Sequence, residues 1–280
     1  MTVISLTSIP PRFDMLQRTL ADLLKQTAEI REIRVNIPRS YRRFPEGSFS
    51  LPEVPEGVRI ARTEEDYGPA TKLLPALTEL AGTDEPIIYC DDDRTTSVHW
   101  AQDLIEAARV YPGLCIANSG WDLDKLSFYL TREPDMSRRA VMLRSRYDLP
   151  YRGRRLWQKV NELCQGRSLP KPYRTWNFRR EGLIDVMEGC GGVLIRPRFF
   201  TEQVFSVPEK VWTVDDIWLS GMVAMNGIGI WGHNGLMPNE IPGAEDEALS
   251  NSTIEGLDRQ QANRECVQYM QREFGIWQTG

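Results

Sequence analysis

The first ninety residues alternate between short apolar runs and segments whose apolar residues recur at helical spacing. Residues 2–8 form an apolar, β-branched run that ends at Pro10 and Pro11, which predicts a buried strand. Residues 13–26 follow with apolar positions at the i, i+4, i+7, i+8 spacing of an amphipathic helix. Further strands are predicted at 33–37, 58–61 and 86–90, and a second helix at 71–80.

Strands that alternate with helices in this order predict an α/β domain built on a mainly parallel sheet. A helix at 98–110 and a strand at 114–118 continue the pattern, which stops at 138–180. The pattern then predicts strands at 191–195 and 228–231 and helices at 215–225 and 257–274.

Length and composition fit one globular domain over residues 1–280. The chain is 41% hydrophobic and 26% charged, which excludes a disordered or low-complexity protein. The five Cys form no CxxC pair, so neither a disulfide framework nor a zinc site is supported. No apolar run reaches the roughly 18–20 residues that span a bilayer, and no signal-like segment precedes the first strand, so we expect a cytoplasmic protein.

The positive charge is concentrated in one segment. Residues 138–180 carry thirteen Arg or Lys and two acidic residues, a local charge of +11, whereas the rest of the chain carries −16. One basic segment in an acidic protein is not the composition of a nucleic-acid-binding protein. Three interpretations stay open: a solvated helical face, contact with anionic headgroups of the inner membrane, or contact with a phosphate of a substrate.

Three adjacent aspartates, Asp91, Asp92 and Asp93, follow the predicted strand 86–90. They repel each other and Asp is a poor strand residue, so local folding gives no reason for the triplet. Mg²⁺ and Mn²⁺ bind carboxylate oxygens together with substrate phosphates. In an extended segment Asp91 and Asp93 point to one side and Asp92 to the other. The triplet, at the strand end where α/β sheets bind ligands, therefore predicts a metal site centred on Asp93; the alternative is a solvated loop.

Three other segments have residue types that suit a site. In residues 66–72, Gly and Pro set a turn before a helix, and Lys72 in the first helical turn would be able to meet a diphosphate. Gly191 and Gly192 precede a strand, where they let the backbone approach a ligand or make a bulge. His233 lies in a Gly-rich turn, where it either completes a metal shell or sits at the surface.

Asp215 and Asp216 open the predicted helix 215–225. Helix capping and the helix dipole favour acids at this position, which is the structural interpretation. The functional interpretation is that one of the two carboxylates is a general base on a rigid element.

Five features in this order resemble a GT-A-fold glycosyltransferase of the bacterial family-two-like group. The resemblance covers about residues 1–125 and 186–235, and it implies a Rossmann-like mixed sheet flanked by helices, with 138–180 as a basic helical insert. The features are Thr7-Ser8-Ile9-Pro10-Pro11-Arg12, the segment 66–72, the DxD motif at 91–93, the run Gly189-Cys190-Gly191-Gly192 and the pair Asp215-Asp216.

The resemblance implies transfer of a sugar from a nucleotide diphosphate sugar to a hydroxyl of a glycan or lipid-linked acceptor, in bacterial surface polysaccharide synthesis. A UDP-sugar is the default donor through family frequency. The half 1–125 would bind the nucleotide sugar, with Asp66 near the base and Lys72 near the phosphates. The implied donor site consists of Thr7, Ser8, Arg12, Asp66, Lys72, Asp91, Asp92, Gly191 and Gly192.

The resemblance also implies the catalytic centre, in which the half 186–280 supplies the acceptor side. Asp91 and Asp93 would hold the ribose and an Mn²⁺ or Mg²⁺ ion, with His233 as a third metal ligand. Asp216 would be the general base of a single inverting displacement, with Asp215 orienting the acceptor. The base assignment within the pair stays open, because the pair is Asp-Asp and not the commoner Glu-Asp.

Three other classes of protein remain as alternatives. A nucleotidyltransferase on a related fold would have a Gly-rich loop after the first strand, whereas residues 7–12 contain no Gly. A metal-dependent phosphoesterase would have more His among its clustered acids. A non-catalytic nucleotide-sugar-binding protein is disfavoured because both metal-type acids and a base candidate are present.

Overall fold

The alternation of strands and helices in the first half of the chain is present in the computed structural model, which describes residues 1–45, 47, 49–130, 138–143, 147–166, 175–243 and 258–278. The helices are α1 (Phe13–Leu23), α2 (Leu74–Glu79), α3 (Trp100–Val110), α4 (Leu149–Gln165), α5 (Asp215–Met225) and α6 (Arg259–Phe274). The strands are β1 (Thr2–Thr7), β2 (Ile30–Pro38), β3 (Val58–Thr63), β4 (Ile87–Tyr89), β5 (Arg94–Thr95), β6 (Cys115–Ala117), β7 (Gly120–Trp121), β8 (Val141–Met142), β9 (Phe178–Arg180), β10 (Gly182–Ile184), β11 (Val186–Met187), β12 (Val193–Ile195), β13 (Ile230–Gly232) and β14 (Asn239–Glu240).

Eight strands form one mixed sheet in the order β10–β13–β6–β12–β4–β1–β2–β3. The strands β4, β1, β2 and β3 are parallel neighbours. β12 runs antiparallel between β4 and β6, β13 is parallel to β6, and β10 is antiparallel to β13. The predicted fold class, a mixed α/β sheet flanked by helices, is therefore confirmed.

Hydrophobic clusters cover both faces of this sheet, because successive residues of a strand point to opposite sides. Ile4 and Ile88 belong to the cluster that contains the buried residues of α1 and α3. Val3 and Ile87 belong to the cluster that contains the buried residues of α2, α5 and α6. This three-layer arrangement leaves the carboxyl ends of β1 and β4 as the edge on which a ligand site can form.

Several predicted elements differ from the structure at their boundaries; α1 ends at Leu23 and not at residue 26, and β2 spans Ile30–Pro38 and not 33–37. The helix predicted at 71–80 is a 3₁₀ turn at Gly68–Lys72 followed by the short helix α2, which has a proline in its first turn. The helix predicted at 257–274 is α6, which Asp258 and Gln261 begin with a reciprocal capping box; residue 257 lies outside the described residues.

The basic segment 138–180 contains the helix α4 and the strand pair β8–β9, so a helical insert is present. Its residues 144–146 and 167–174 lie outside the described residues. Asp148 caps α4 by accepting a hydrogen bond from the backbone N–H of Tyr151 at 2.9 Å. In the described part of the chain, no helix is long and apolar enough to cross a membrane.

Candidate active site

A cavity of about 260 Å³ opens at the carboxyl ends of β1 and β4. The turn that precedes α2, the start of α5 and the start of α6 form its other walls. Ten of the residues predicted for the site line this cavity: Thr7, Ser8, Arg12, Asp66, Lys72, Asp91, Asp92, Asp93, Asp215 and Asp216.

Asp92 fixes the loop that follows β1. Its carboxylate accepts a hydrogen bond from Ser8 Oγ at 2.5 Å and one from Arg12 at 3.1 Å. Tyr41 donates a hydrogen bond to the backbone carbonyl of Ser8 at 2.7 Å. Asp92 is buried, and burial raises its pKa. The carboxylate of Asp92 therefore supports the cavity wall. Its predicted orientation away from Asp93 is corrected, because Arg12 Nη1 lies 3.1 Å from Asp92 and 3.2 Å from Asp93.

Asp93 has a carboxylate oxygen whose hydrogen-bonding capacity is not used. Arg12 donates to Oδ2 at 3.2 Å, whereas the buried Oδ1 has no hydrogen-bond donor, although Arg94 Nε lies 3.0 Å away. Burial and the charge of Asp91 raise the pKa of Asp93 to about 6. A cation shared by Asp91 and Asp93 would relieve the repulsion between the two carboxylates.

Lys72 is buried between carboxylates from two different elements. Its Nζ lies 2.5 Å from Asp91 and 2.9 Å from Asp215. Burial alone would lower the pKa of Lys72, but the charges of Asp215 and Asp91 outweigh it and raise that pKa well above its ordinary value. Lys72 thus joins the end of β4 to the start of α5, which the sequence did not predict when it placed Lys72 near a diphosphate.

Asp216 lies beside this ion-pair cluster in the first turn of α5. Its Oδ1 accepts a hydrogen bond from the backbone N–H of Gly189 at 3.1 Å, and Arg259 lies 3.9 Å from Oδ2. Burial and the charge of Asp215 raise the pKa of Asp216 well above its ordinary value. Both acids lie in the first turn of α5, where the helix dipole favours them, and both line the cavity.

Asp66 and Thr7 line the cavity beside this charged centre. Asp66 accepts hydrogen bonds from the backbone N–H groups of Arg42 and Gly68, both at 2.8 Å. Thr7 donates to the backbone carbonyl of Asn36 at 2.7 Å. Asp66 thus holds two loops of the cavity wall together, and Thr7 ties the end of β1 to β2.

The structure corrects the role predicted for Gly191 and Gly192. Neither residue lines the cavity. A Cβ at Gly191 would meet the backbone of Ser119, and one at Gly192 would overlap the indole of Trp100. Both glycines are therefore required by internal packing. Gly189 is the glycine that lies beside the charged side chains of the cavity. A Cβ at Gly189 would lie 2.6 Å from Lys72 Nζ and 2.8 Å from Asp91 Oδ1.

The structure also separates His233 from the cavity. His233 follows β13, which is three strands away from β4 in the sheet, and it is not among the cavity residues. Its Nδ1 lies 2.8 Å from a carboxylate oxygen of Glu181. The prediction of His233 as a third metal ligand beside Asp91 and Asp93 is therefore corrected, because the strand order places the segment after β13 away from the triplet.

Several charged cavity residues were missed in the sequence, among them Glu240, Arg94 and Arg259. Glu240 reaches the cavity because β14 pairs with β5 directly after the aspartate triplet. Arg94 follows the triplet itself, and Arg259 enters from the first residue of α6. The arginine after three aspartates was a visible signal, whereas the positions of Glu240 and Arg259 depend on long-range contacts.

The residues present fit a divalent cation only in part. Within the described ranges, no group of three or more His, Cys, Asp or Glu side chains is placed to hold a metal ion. Asp91 and Asp93 nevertheless offer two neighbouring carboxylates, one with an unsatisfied buried oxygen. Two carboxylates suffice for Mg²⁺ or Mn²⁺ when substrate phosphates and water supply the remaining ligands.

Comparison with known proteins gives matches among solved structures. No family model matches the chain, and no curated protein matches it. The crystal structure of GalNAc-T7 with UDP, GalNAc and Mn²⁺ matches with a TM-score of 0.53 and 14% identity, over 98% of this chain and 49% of that chain. The crystal structure of S. aureus TarS 1–349 matches with a TM-score of 0.44 and 11% identity, over 98% of this chain and 72% of that chain.

The chain therefore spans about half the length of the GalNAc-T7 chain that it matches. At this level of identity the match concerns the fold and not the activity. This protein therefore shares a mixed α/β fold with the GalNAc-T7 structure.

Proposed function

We propose that this chain is a glycosyltransferase that takes its sugar from a nucleotide diphosphate donor bound in the cavity at the ends of β1 and β4. The observation that carries the proposal is the junction made by Lys72, whose ion pairs with Asp91 and Asp215 link the aspartate triplet after β4 to the acid pair of α5. The donor phosphates need positive charge, and the acceptor hydroxyl needs a proton acceptor, within a few ångströms of each other. This junction supplies both.

The acid pair supplies the proton acceptor of the proposed reaction. The acceptor hydroxyl forms a bond to the anomeric carbon, the bond from that carbon to the diphosphate breaks, and the hydroxyl proton passes to Asp216. A raised pKa makes Asp216 a stronger base once it is ionised. Asp215 is held by Lys72, which favours Asp216 as the base and leaves Asp215 to orient the acceptor. A single displacement of this kind inverts the anomeric configuration.

The triplet and the basic residues form the donor side. Asp91 and Asp93 would hold an Mn²⁺ or Mg²⁺ ion, which neutralises the charge that develops on the leaving diphosphate. Arg12, Arg94 and Arg259 line the same cavity and add positive charge there. The UDP and Mn²⁺ named for the GalNAc-T7 structure support a UDP-sugar and Mn²⁺ as the first choices to test. A glycan or lipid-linked acceptor and a role in bacterial surface polysaccharide synthesis stay predictions from the sequence.

The test separates donor binding from chemistry. We expect UDP with Mn²⁺ to raise the melting temperature of the wild-type protein, and one or more UDP-sugars to be hydrolysed slowly to UDP in the absence of an acceptor. Asp216→Asn should bind UDP within a few-fold of wild type and lose about 10²–10⁴-fold in UDP release, the usual contribution of a general base.

The matched control is Asp14→Asn, which changes an exposed aspartate in the first turn of α1 and should alter neither property. Near-wild-type UDP release by Asp216→Asn would place the base elsewhere. No thermal shift with any nucleoside diphosphate, with or without Mn²⁺, would exclude the proposed donor class.

A further inference from the structure

The helix α4 exposes its apolar face to solvent. Trp157 is 70% exposed and Leu163 is 83% exposed, and Leu149, Leu156 and Val160 are exposed as well. At about 100° per residue these five positions fall on one side of the helix. The opposite side faces the protein, where Gln158 is 4% exposed.

This orientation reverses the usual polarity of a surface helix, which turns its apolar stripe to the core and its polar residues to water. A continuous apolar stripe in water is unfavourable and marks a surface that meets another apolar phase. None of these residues lines the candidate active-site cavity. The stripe is therefore a separate surface of the molecule.

Cations border the stripe. Arg152 and Lys159 lie on one flank, within about 60° of the leucines, and both are exposed. The acid of α4, Glu162, is on the protein side, where its carboxylate accepts a hydrogen bond from Gln158 at 2.7 Å. Arg154, on the other flank, donates to Thr175 at 2.9 Å, which ties the helix to the segment before β9. The stripe and its border therefore combine apolar side chains with positive charge.

We propose that α4 is a membrane-binding helix that lies flat in the interface of a bilayer containing anionic lipids. An apolar face flanked by Lys and Arg, with a tryptophan at its edge, suits the boundary between acyl chains and negative headgroups. At 1.5 Å per residue the 17 residues of α4 extend about 25 Å along the surface.

A second copy of the chain is the competing occupant, and charge disfavours it. In a two-fold symmetric contact the same patch meets itself, so the Arg and Lys border of one copy would face the Arg and Lys border of the other. Anionic headgroups oppose these cations with the complementary sign. A bilayer therefore complements both the apolar stripe and the positive border, whereas self-association would cover the apolar stripe alone.

Co-sedimentation of the full chain with vesicles tests the proposal. We expect binding to vesicles of phosphatidylcholine mixed with phosphatidylglycerol, weaker binding at high salt, and little binding to phosphatidylcholine alone. The double variant Leu156→Gln, Leu163→Gln should weaken partitioning about 100-fold, since each buried leucine contributes about tenfold. Lys159→Gln should weaken it about fivefold.

Matched variants control for general effects. Leu24→Gln with Val110→Gln removes two exposed apolar residues at the ends of α1 and α3, and Lys25→Gln removes an exposed lysine beside α1. Both controls should bind vesicles within about twofold of wild type. All of these residues are exposed, so the melting temperatures of the variants should match that of wild type.

Absence of binding to anionic vesicles at low salt would overturn the proposal. So would a dimer, measured by light scattering, that the leucine double variant dissociates while vesicles bind neither protein. The readout involves no sugar transfer, so its failure is distinguishable from failure of the proposed enzymatic function.

Discussion

A single lysine determines how the charges of the cavity are arranged. Lys72 compensates Asp91 and Asp215. Burial alone would raise the pKa of Asp91, but the charge and hydrogen bond of Lys72, together with the charges of Arg94 and Arg12, lower it. Asp93 and Asp216, which Lys72 does not contact, have raised pKa values instead. Within the triplet, the lowered pKa of Asp91 favours its ionised form, whereas Asp93 binds its proton more tightly, which separates these two carboxyl groups by role.

The raised pKa of Asp93 predicts the pH dependence of metal binding. A metal ligand must be ionised, and Asp93 retains its proton below a pH of about 6. The affinity for Mn²⁺ in the presence of UDP should therefore rise as the pH increases through about 6 and level off above it. Calorimetric titrations of wild type and Asp93→Asn at several pH values measure this. The variant should bind weakly at every pH, and an equally steep pH dependence in both proteins would assign the titration to the nucleotide.

At the scale of elements, the glycines around β12 show how a local pattern is misread. Gly192 has a φ of +85° and packs against the indole of Trp100, whose Nε1 donates to the carbonyl of Gly191 at 2.9 Å. Three glycines in four residues looked like a backbone surface for a ligand. The sequence could not show that helix α3 would place a tryptophan on it.

Gly192→Ala tests this packing against another glycine with a positive φ. Gly227 has a φ of +72°, but nothing lies within 4 Å of the position that a Cβ would take there, so Gly227→Ala should cost only the left-handed backbone penalty of about 1–2 kcal/mol. Gly192→Ala adds overlap with Trp100 and should cost about 1–3 kcal/mol more. Urea unfolding of the two variants measures the difference, and equal free energies of unfolding would mean that Trp100 moves aside without strain.

The elements that the sequence predicted well are those whose pattern is long. The helices α1, α3 and α5 lie within about three residues of their predicted positions, and each has eleven residues. The strands β10, β11 and β14 have two or three residues, too few for any periodicity, and were not predicted. Glu240 was missed because it lies in β14, whereas His233 was misplaced because the order of the strands in the sheet decides where it lies.

At the scale of the whole molecule, the central sheet interleaves the two halves of the chain. The strand β12, from the second half, lies between β4 and β6 of the first half. The strand β13 then pairs with the outer side of β6. Neither the predicted half 1–125 nor the half 186–280 can therefore form this sheet alone, which is the physical argument for the prediction of one domain over 1–280.

Met270→Ala tests whether the molecule unfolds as this one unit. Met270 is fully buried in α6, where it packs against Gly221 of α5 on one face of the sheet. Its truncation should lower the free energy of unfolding by about 2–5 kcal/mol. The exposed-methionine control, Met142→Ala, should change it by less than about 0.5 kcal/mol.

The informative measurement is amide hydrogen exchange in α1 and α3, which lie in the other hydrophobic cluster, on the opposite face of the sheet from α6. If unfolding is cooperative, the slowest amides of α1, α3 and α5 all exchange through global unfolding. Met270→Ala should then lower the protection free energy of these amides by the same amount in all three helices. Loss of protection confined to α5 and α6 would instead show that the two faces unfold separately. The interleaved strand order predicts the first outcome, since β12 cannot leave the sheet without exposing both clusters.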